Sequence, residues 1–258
     1  MSKNSTFNIL RVAIAVCLAC SIVVSVAAVF LRPLQVSNKA LDQKINILQV
    51  AGIWEDNLSI EEMFSSIETR LVELDTGKFN TSFDVEMFNQ RKSAKDSNLS
   101  ISLSDEQDIA NINRRENYAK VYLVKDRGEV KRYVLPVHGY GLWSTLYGYV
   151  TLEADLNTVY GIKFYDHKET PGLGGEVDNP KWQAQWKGKK IFSPAGDVAL
   201  EIKKGTVVAS DPNANYQIDG LSGATLTSNG VTNMFKFWMG KDGFGHFIQQ
   251  QTQTEDAS

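Results

Sequence analysis

The segment with the clearest chemical character is a loop of small residues that leads into a helical pattern. Residues 219–228 read DGLSGATLTS, and the apolar run Val231–Met239 follows. Unpaired N–H groups and the positive end of the dipole at a helix N-terminus favour a bound phosphate. Gly220 and Gly223 allow the backbone to approach a ligand closely. From the residues alone, a Ser or Thr that caps a helix explains the same string.

Two further glycine-rich loops adjoin predicted strands. Residues 167–175 read HKETPGLGG after a strand that ends near Tyr165, and residues 139–144 read GYGLWS before the next strand pattern. Such Pro and Gly residues ordinarily indicate a tight surface turn, and an aromatic residue beside glycines is equally expected in a core. Lys203 and Lys204 are either phosphate ligands or a solvated charge pair.

All three segments resemble motifs of the FMN-binding domain family found in bacterial ion-translocating redox complexes, and they occur in the family's order. In that family a transferase takes FMN from FAD and joins its phosphate to the threonine that ends an S/T-G-A-T string. The matching residue is Thr225. A Thr hydroxyl is a poor nucleophile unaided, so an external enzyme is chemically sensible. The resemblance implies FMN attached covalently through its phosphate, with no catalytic residue and no metal ligand in this chain.

The resemblance also implies contacts with the flavin ring. Glu169 and Thr170 would be ring neighbours, and Lys168 would stabilise negative charge on the reduced ring. Asp219 resembles the acidic position by which the transferase recognises its target, although a cap or turn is its ordinary role. The cofactor-binding residues implied are Thr225, Ser222, Gly223, Ala224, Asp219, Lys168, Glu169, Thr170, Gly172, Leu173, Leu142 and Trp143.

Length, and the long segment before Tyr118, resemble the FMN-carrying member of this family in the sodium-translocating NADH:quinone reductase more than its shorter paralogue in the Rnf ferredoxin:NAD complex. The first resemblance implies an electron-transfer subunit of a membrane complex that oxidises NADH, reduces ubiquinone and pumps sodium ions. Its partners would be the other subunits and a flavin transferase, with the soluble domain in the periplasm. The alternatives are the Rnf paralogue, a membrane-tethered binding module without redox function, and a hydrolase, for which no G-x-S-x-G elbow is present.

The elements that position these loops read as an α+β fold with a largely antiparallel sheet and packed helices. Alternation predicts a hairpin of 119–124 with 130–137, turning at Asp126-Arg127-Gly128. Further hairpins are predicted for 147–152 with 159–164 and for 199–202 with 206–209, and a helix for 225–239. A capping box at 59–62 predicts a helix whose apolar face reaches Leu74. No Rossmann fingerprint or P-loop is present.

One transmembrane helix is predicted to precede this fold. Residues 12–31 carry no charged side chain, and about 20 apolar residues span a bilayer core. A cleaved signal peptide competes with this interpretation, but its apolar core is usually shorter, roughly 7–15 residues. Cys17 and Cys20 lie in this run, either as small apolar residues or as partners of another subunit's cofactor. The positive-inside rule does not decide the orientation.

Composition is that of an ordinary globular chain of 258 residues, with 43% hydrophobic residues and a net charge of −3. This charge gives no general attraction to nucleic acid. Without cysteine after residue 31, the main body has no disulfide framework, iron–sulfur site or Cys-type zinc site. We expect a short tail (1–11), the anchor (12–31), a helical and irregular segment (32–117), the FMN-binding domain (118–248) and a polar tail (249–258).

Overall fold

A computed structural model describes the backbone of residues 3–255 and the burial or exposure of the side chains of residues 6–253. The helices are α1 (Lys3–Ala51), α2 (Ile60–Phe64), α3 (Gln90–Ser93), α4 (Pro180–Ala184), α5 (Thr225–Met239) and α6 (Gly245–Glu255). The strands are β1 (Ile67–Glu73), β2 (Phe79–Asn80), β3 (Ser100–Ser102), β4 (Arg114–Glu116), β5 (Tyr118–Asp126), β6 (Glu129–Tyr140), β7 (Thr145–Glu153), β8 (Val159–Asp166), β9 (Glu201–Lys203) and β10 (Gln217–Asp219). Short 3₁₀ helices cover Gly174–Asp178 and Ala214–Tyr216.

The chain divides into two compact units, one up to Ile45 and one from Asn46 onwards. The first unit is helical, and the part of α1 from Thr6 is long and apolar enough to cross a membrane. Its apolar side chains are exposed rather than packed into a protein core. The domain boundaries expected from the sequence stay predictions, and residues 1–2 and 256–258 of the two expected tails lie outside the described residues.

A six-stranded sheet in the order β2-β1-β5-β6-β7-β8 forms the centre of the second unit. Every neighbouring pair is antiparallel, which confirms the predicted α+β class. The first two predicted hairpins are also confirmed. At the β5–β6 turn, Arg127 and Gly128 have φ of 51° and 90°, the positive values that a tight two-residue hairpin requires.

The two faces of the sheet carry separate apolar clusters, because successive side chains of a strand point to opposite faces. One face packs with the end of α1, where Ile47, Leu48 and Ala51 are buried, and with Met63 of α2. The other face packs with α5 and α6. Helix α5 has the predicted bounds, and it packs against β6 and β9.

The predicted helical face from Ser59 to Leu74 is wrong beyond its first turn. Ser59 Oγ accepts a hydrogen bond from Glu62 N at 3.2 Å, as the capping box predicts. The helix ends at Phe64, and β1 then pairs with β5 along its whole length. Apolar residues four apart satisfy both a helix and the two-residue period of a strand, so the long-range partner decides between them.

The third predicted hairpin is also wrong. Strand β9 pairs with β10, and the pairing is parallel, whereas residues 206–209 form no strand. Gly205 has φ of 83° and accepts a hydrogen bond from Gly220 N at 2.8 Å. The turn at Gly205 therefore contacts the 219–228 segment, and the residues after it do not pair with β9.

Candidate functional site

Thr225 is the first residue of α5, and its side chain is exposed. Within the described residues, no side chain caps this helix, since the N-cap position is Ala224. The N–H groups of the first turn are thus available to an external acceptor, with the helix dipole adding a positive potential. Gly223 has φ of 70°, a value that suits glycine and that brings the chain sharply into the helix.

The loop before Thr225 is held by hydrogen bonds to its own neighbours. Asp219 Oδ1 accepts a hydrogen bond from Val207 N at 2.7 Å, and Leu221 N donates to Ser228 Oγ at 3.1 Å. Ser222 and Gly223 are exposed. The carboxylate of Asp219 therefore has a structural role in this loop, and its recognition by a transferase stays a prediction.

Glu169 is the buried centre of the site, with 5% of its surface exposed. Its Oε1 accepts hydrogen bonds from the backbone N–H groups of Leu142, Trp143 and Ser144 at 3.1, 2.9 and 3.3 Å. Its Oε2 accepts one from Thr227 Oγ1 at 2.7 Å. This carboxylate joins the three sequence motifs in space, and both of its oxygens are occupied by groups of the chain itself.

The remainder of the 167–175 loop is a tight exposed turn. Thr170 O accepts hydrogen bonds from Leu173 N at 3.1 Å and from Gly175 N at 2.9 Å. Three residues of this turn are exposed: Lys168, Thr170 and Gly172. Lys168 N donates to Ser144 Oγ at 2.7 Å. The polar side chains of Lys168 and Thr170 thus remain open to a ligand.

Four large apolar side chains are exposed on these loops and on the first turn of α5. The exposed fractions are 38% for Leu142, 65% for Trp143, 43% for Leu173 and 58% for Leu226. A Cβ added to Gly223 would lie 2.9 Å from Leu173 Cδ2, so Leu173 lies directly against the Thr225 loop. Exposed apolar side chains grouped on loops are typical of a surface that binds a ligand or partner.

The charged groups nearby include one lysine in an ion pair and one histidine that contacts a carboxylate. Lys203 Nζ lies 2.7 Å from Asp211 Oδ2, so this ammonium group is paired with a carboxylate of the chain, and neither interpretation of Lys203 and Lys204 is tested. His167 Nε2 lies 2.8 Å from Asp178 Oδ2, and its Nδ1 accepts a hydrogen bond from Glu169 N at 3.2 Å. No group of His, Cys, Asp and Glu within the described residues is arranged to hold a metal ion.

Thr227, Ser144 and Leu226 are site residues that sequence reasoning did not identify. Thr227 is fully buried and bonds Glu169, while Ser144 bonds the backbone of the 167–175 loop. Neither contact has a local sequence signal, because each joins distant parts of the chain. Leu226 did have a local sequence signal, since it is an apolar residue that lies outside the buried face of α5.

These residues fit FMN, which combines a large flat ring with a polar edge and a phosphate group. The apolar side chains of Leu142, Trp143 and Leu173 suit the ring faces. Thr170 and Lys168 on the exposed turn suit the polar edge of the ring. Thr225 and the uncapped first turn of α5 suit the phosphate.

Comparison with known proteins agrees with this geometry. The model of the FMN-binding domain family matches residues 141–240. The NqrC protein of the Na(+)-translocating NADH-quinone reductase of Pseudomonas aeruginosa is 49% identical over 251 residues, covering 96% of each chain. That of Vibrio alginolyticus is 47% identical over 248 residues, covering 96% of this chain and 95% of the relative.

Solved structures give the same result. The crystal structure of Shewanella oneidensis NqrC has a TM-score of 0.77 at 36% identity and covers 86% of this chain and 100% of its own. The structure of the corresponding reductase protein from Parabacteroides distasonis has a TM-score of 0.63 at 29% identity, covering 84% of this chain and 96% of its own. With relatives this similar over nearly its whole length, the chain belongs to the NqrC family of the Na(+)-translocating NADH-quinone reductase.

Proposed function

We propose that this chain carries FMN, joined through its phosphate to Thr225, and transfers electrons as one component of the membrane complex that oxidises NADH, reduces ubiquinone and pumps sodium ions. The observation that carries the proposal is the exposed Thr225 hydroxyl at an uncapped helix N-terminus, beside the exposed apolar side chains of Leu142, Trp143 and Leu173. The relatives are NqrC proteins, which favours this branch over the Rnf paralogue.

Bound FMN would supply the acceptance and donation of electrons, and the chain would supply position and electrostatics. The first turn of α5 would hold the phosphate through backbone N–H groups, with Ser222, Gly223 and Ala224 leaving the approach to Thr225 open. Leu142, Trp143 and Leu173 would exclude water from the ring. Thr170 would bond its polar edge, and Lys168 would stabilise negative charge on it. We expect no turnover from this chain alone.

Attachment requires a separate flavin transferase that transfers FMN from FAD to the Thr225 hydroxyl and releases AMP. The helix at the N-terminus would anchor the chain in the bacterial inner membrane, with the soluble unit in the periplasm. Protease added to intact spheroplasts should therefore cleave the soluble unit, whereas protease added to inverted vesicles should leave it intact. The reverse pattern would contradict the periplasmic orientation.

The decisive experiment is in-gel fluorescence under ultraviolet light after SDS denaturation. The wild-type chain, Thr225→Ala and the matched control Thr81→Ala, which removes the hydroxyl of an exposed threonine outside the three motifs, are each expressed beside a flavin transferase. We expect fluorescent bands for the wild type and Thr81→Ala and a dark band for Thr225→Ala, with thermal stability little changed because exposed substitutions cost about 0.5 kcal/mol or less.

Other outcomes contradict the proposal in different ways. A fluorescent Thr225→Ala band would place the attachment elsewhere. Dark bands for all three chains, with the transferase shown to be active on another target, would favour the non-redox binding module instead.

A further inference from the structure

We infer that Glu169 is a positioning residue. It fixes the 139–144 and 167–175 loops against helix α5 in the protein that has not yet bound flavin. The inference rests on the proposed function and refines it. The sequence resemblance places Glu169 beside the ring as a direct neighbour. Its side chain instead points into the protein, where both carboxylate oxygens are engaged.

The carboxylate joins three separate parts of the chain at one buried point. Three consecutive backbone N–H groups, those of residues 142–144, point at Oε1, and the hydroxyl of Thr227 in α5 points at Oε2. Hydrogen bonds to an ionised acceptor are stronger than neutral ones. A buried carboxylate without these donors would be costly, so the loop and the helix are held to it together.

The glycines of two motifs leave room for this carboxylate. A Cβ on Gly141 would lie 2.7 Å from Glu169 Oε1, and a Cβ on Gly174 would lie 2.6 Å from Oε2. Neither glycine has a positive φ, so conformational freedom does not explain them. The arrangement requires close approach to Glu169 from both sides, which gives a physical reason for glycine at both positions.

The residues whose amides bond Glu169 include two that carry exposed apolar side chains, Leu142 and Trp143. Exposed apolar side chains do not stabilise the conformation of a short loop, because they are not packed. The order of this loop therefore depends on hydrogen bonds to its backbone. Holding it in advance lowers the entropic cost of binding a ring. Glu169 therefore positions the ring contacts of Leu142 and Trp143 without touching the ring.

The first test uses the full-length chain in detergent micelles without flavin, and measures hydrogen–deuterium exchange of the backbone amides of residues 142–144. The variants are Glu169→Ala and the isosteric Glu169→Gln, whose amide oxygen can replace Oε1 as acceptor while its NH₂ donates to Thr227 Oγ1. The control is Glu176→Gln, a glutamate of the next turn that bonds Asn179.

We expect exchange at residues 142–144 to be about tenfold faster or more in Glu169→Ala, within about threefold of wild type in Glu169→Gln, and unchanged in Glu176→Gln. Unchanged exchange in a folded Glu169→Ala would overturn the inference. If Glu169→Ala does not fold, Thr227→Val keeps the test valid, because it removes the donor to Oε2 alone. Several-fold faster exchange at residues 142–144 supports the inference, and wild-type exchange there refutes it.

The second test uses the same variants expressed beside a flavin transferase and measures the fluorescence anisotropy of the attached flavin. In Glu169→Ala we expect a fluorescent band after SDS denaturation but a clearly lower anisotropy in the folded protein, because the ring is tethered yet not held. Glu169→Gln should restore most of the anisotropy. Fluorescent bands with equal anisotropy in all variants would refute the positioning role while leaving the proposed function intact. A dark wild-type band would instead count against the proposed function.

Discussion

Gly174 offers a direct check of how closely the 167–175 loop packs on α5. A methyl group at Gly174 would meet two oxygens, Thr227 Oγ1 at 2.5 Å and Glu169 Oε2 at 2.6 Å. Carbon and oxygen at ordinary van der Waals separation are several tenths of an ångström further apart. Overpacking of a buried site costs about 1–3 kcal/mol, and Gly174→Ala should lower the free energy of unfolding by about 2 kcal/mol.

The same geometry predicts that this cost depends on Glu169. In a Glu169→Ala background the Oε2 atom is gone, and Thr227 Oγ1 is no longer held by its hydrogen bond to it. The methyl group of Gly174→Ala then meets less resistance, because Oε2 is absent and the Thr227 side chain can move aside, although the Cβ at position 169 remains about 3.1 Å away. The loss in the free energy of unfolding of the double variant should therefore be smaller than the sum of the two single losses by about 1 kcal/mol or more.

Guanidinium denaturation of the full-length chain in micelles, followed by tryptophan fluorescence, measures all four members of this cycle. The m-value should stay constant across them, since a change would indicate an altered denatured or native state. Strictly additive costs would show that Gly174 does not pack on the carboxylate, and the account of this glycine would then be incorrect.

Three other predictions concern charge. Lys168→Ala should keep covalent flavin and lower its midpoint potential by on the order of 10–20 mV, as an exposed charge contributes up to about 1 kcal/mol; an unchanged potential would place Lys168 away from the ring. Burial lowers the pKa of His138, and the nearby carboxylate of Glu116 partly opposes this shift. The unfolded chain therefore binds the proton more readily than the folded one, and the stability of the fold should decrease below about pH 6.5. In His138→Gln, the denaturation midpoints at about pH 7.5 and about pH 5.5 should differ less than in the wild type. Asp219→Asn keeps an acceptor for Val207 N, so it should fold normally while losing covalent flavin, and full flavin content would limit Asp219 to its structural role.

Local patterns in the sequence predicted most of the elements that carry the site. The β5–β6 and β7–β8 hairpins follow from two-residue alternation, and α5 follows from its apolar spacing. These patterns are local, since each depends on neighbours within a few residues. The same holds for the cap at Ser59, whose hydroxyl bonds the backbone three residues later.

What the sequence left open depends on pairing between distant segments. Ile67 has apolar spacing typical of a helix, yet it pairs with Val124 in the sheet. Glu201 pairs in parallel with Gln217, sixteen positions later, and no turn signal marks such a contact. The direction in which the Glu169 side chain points is of the same kind, because its hydrogen-bond donors lie 25 to 58 positions away.

The end of α1 has a practical consequence for anyone preparing a soluble fragment. Residues 46–51 belong to the second compact unit, and Ile47, Leu48 and Val50 are buried in its core. Burial of each such side chain contributes about 1.5–3 kcal/mol, and together they approach the total stability of a typical domain, about 5–15 kcal/mol. A fragment that starts at Asn46 retains this layer. One that starts at Gly52 leaves a face of the sheet open to water, and it should aggregate even though every flavin-site residue is present.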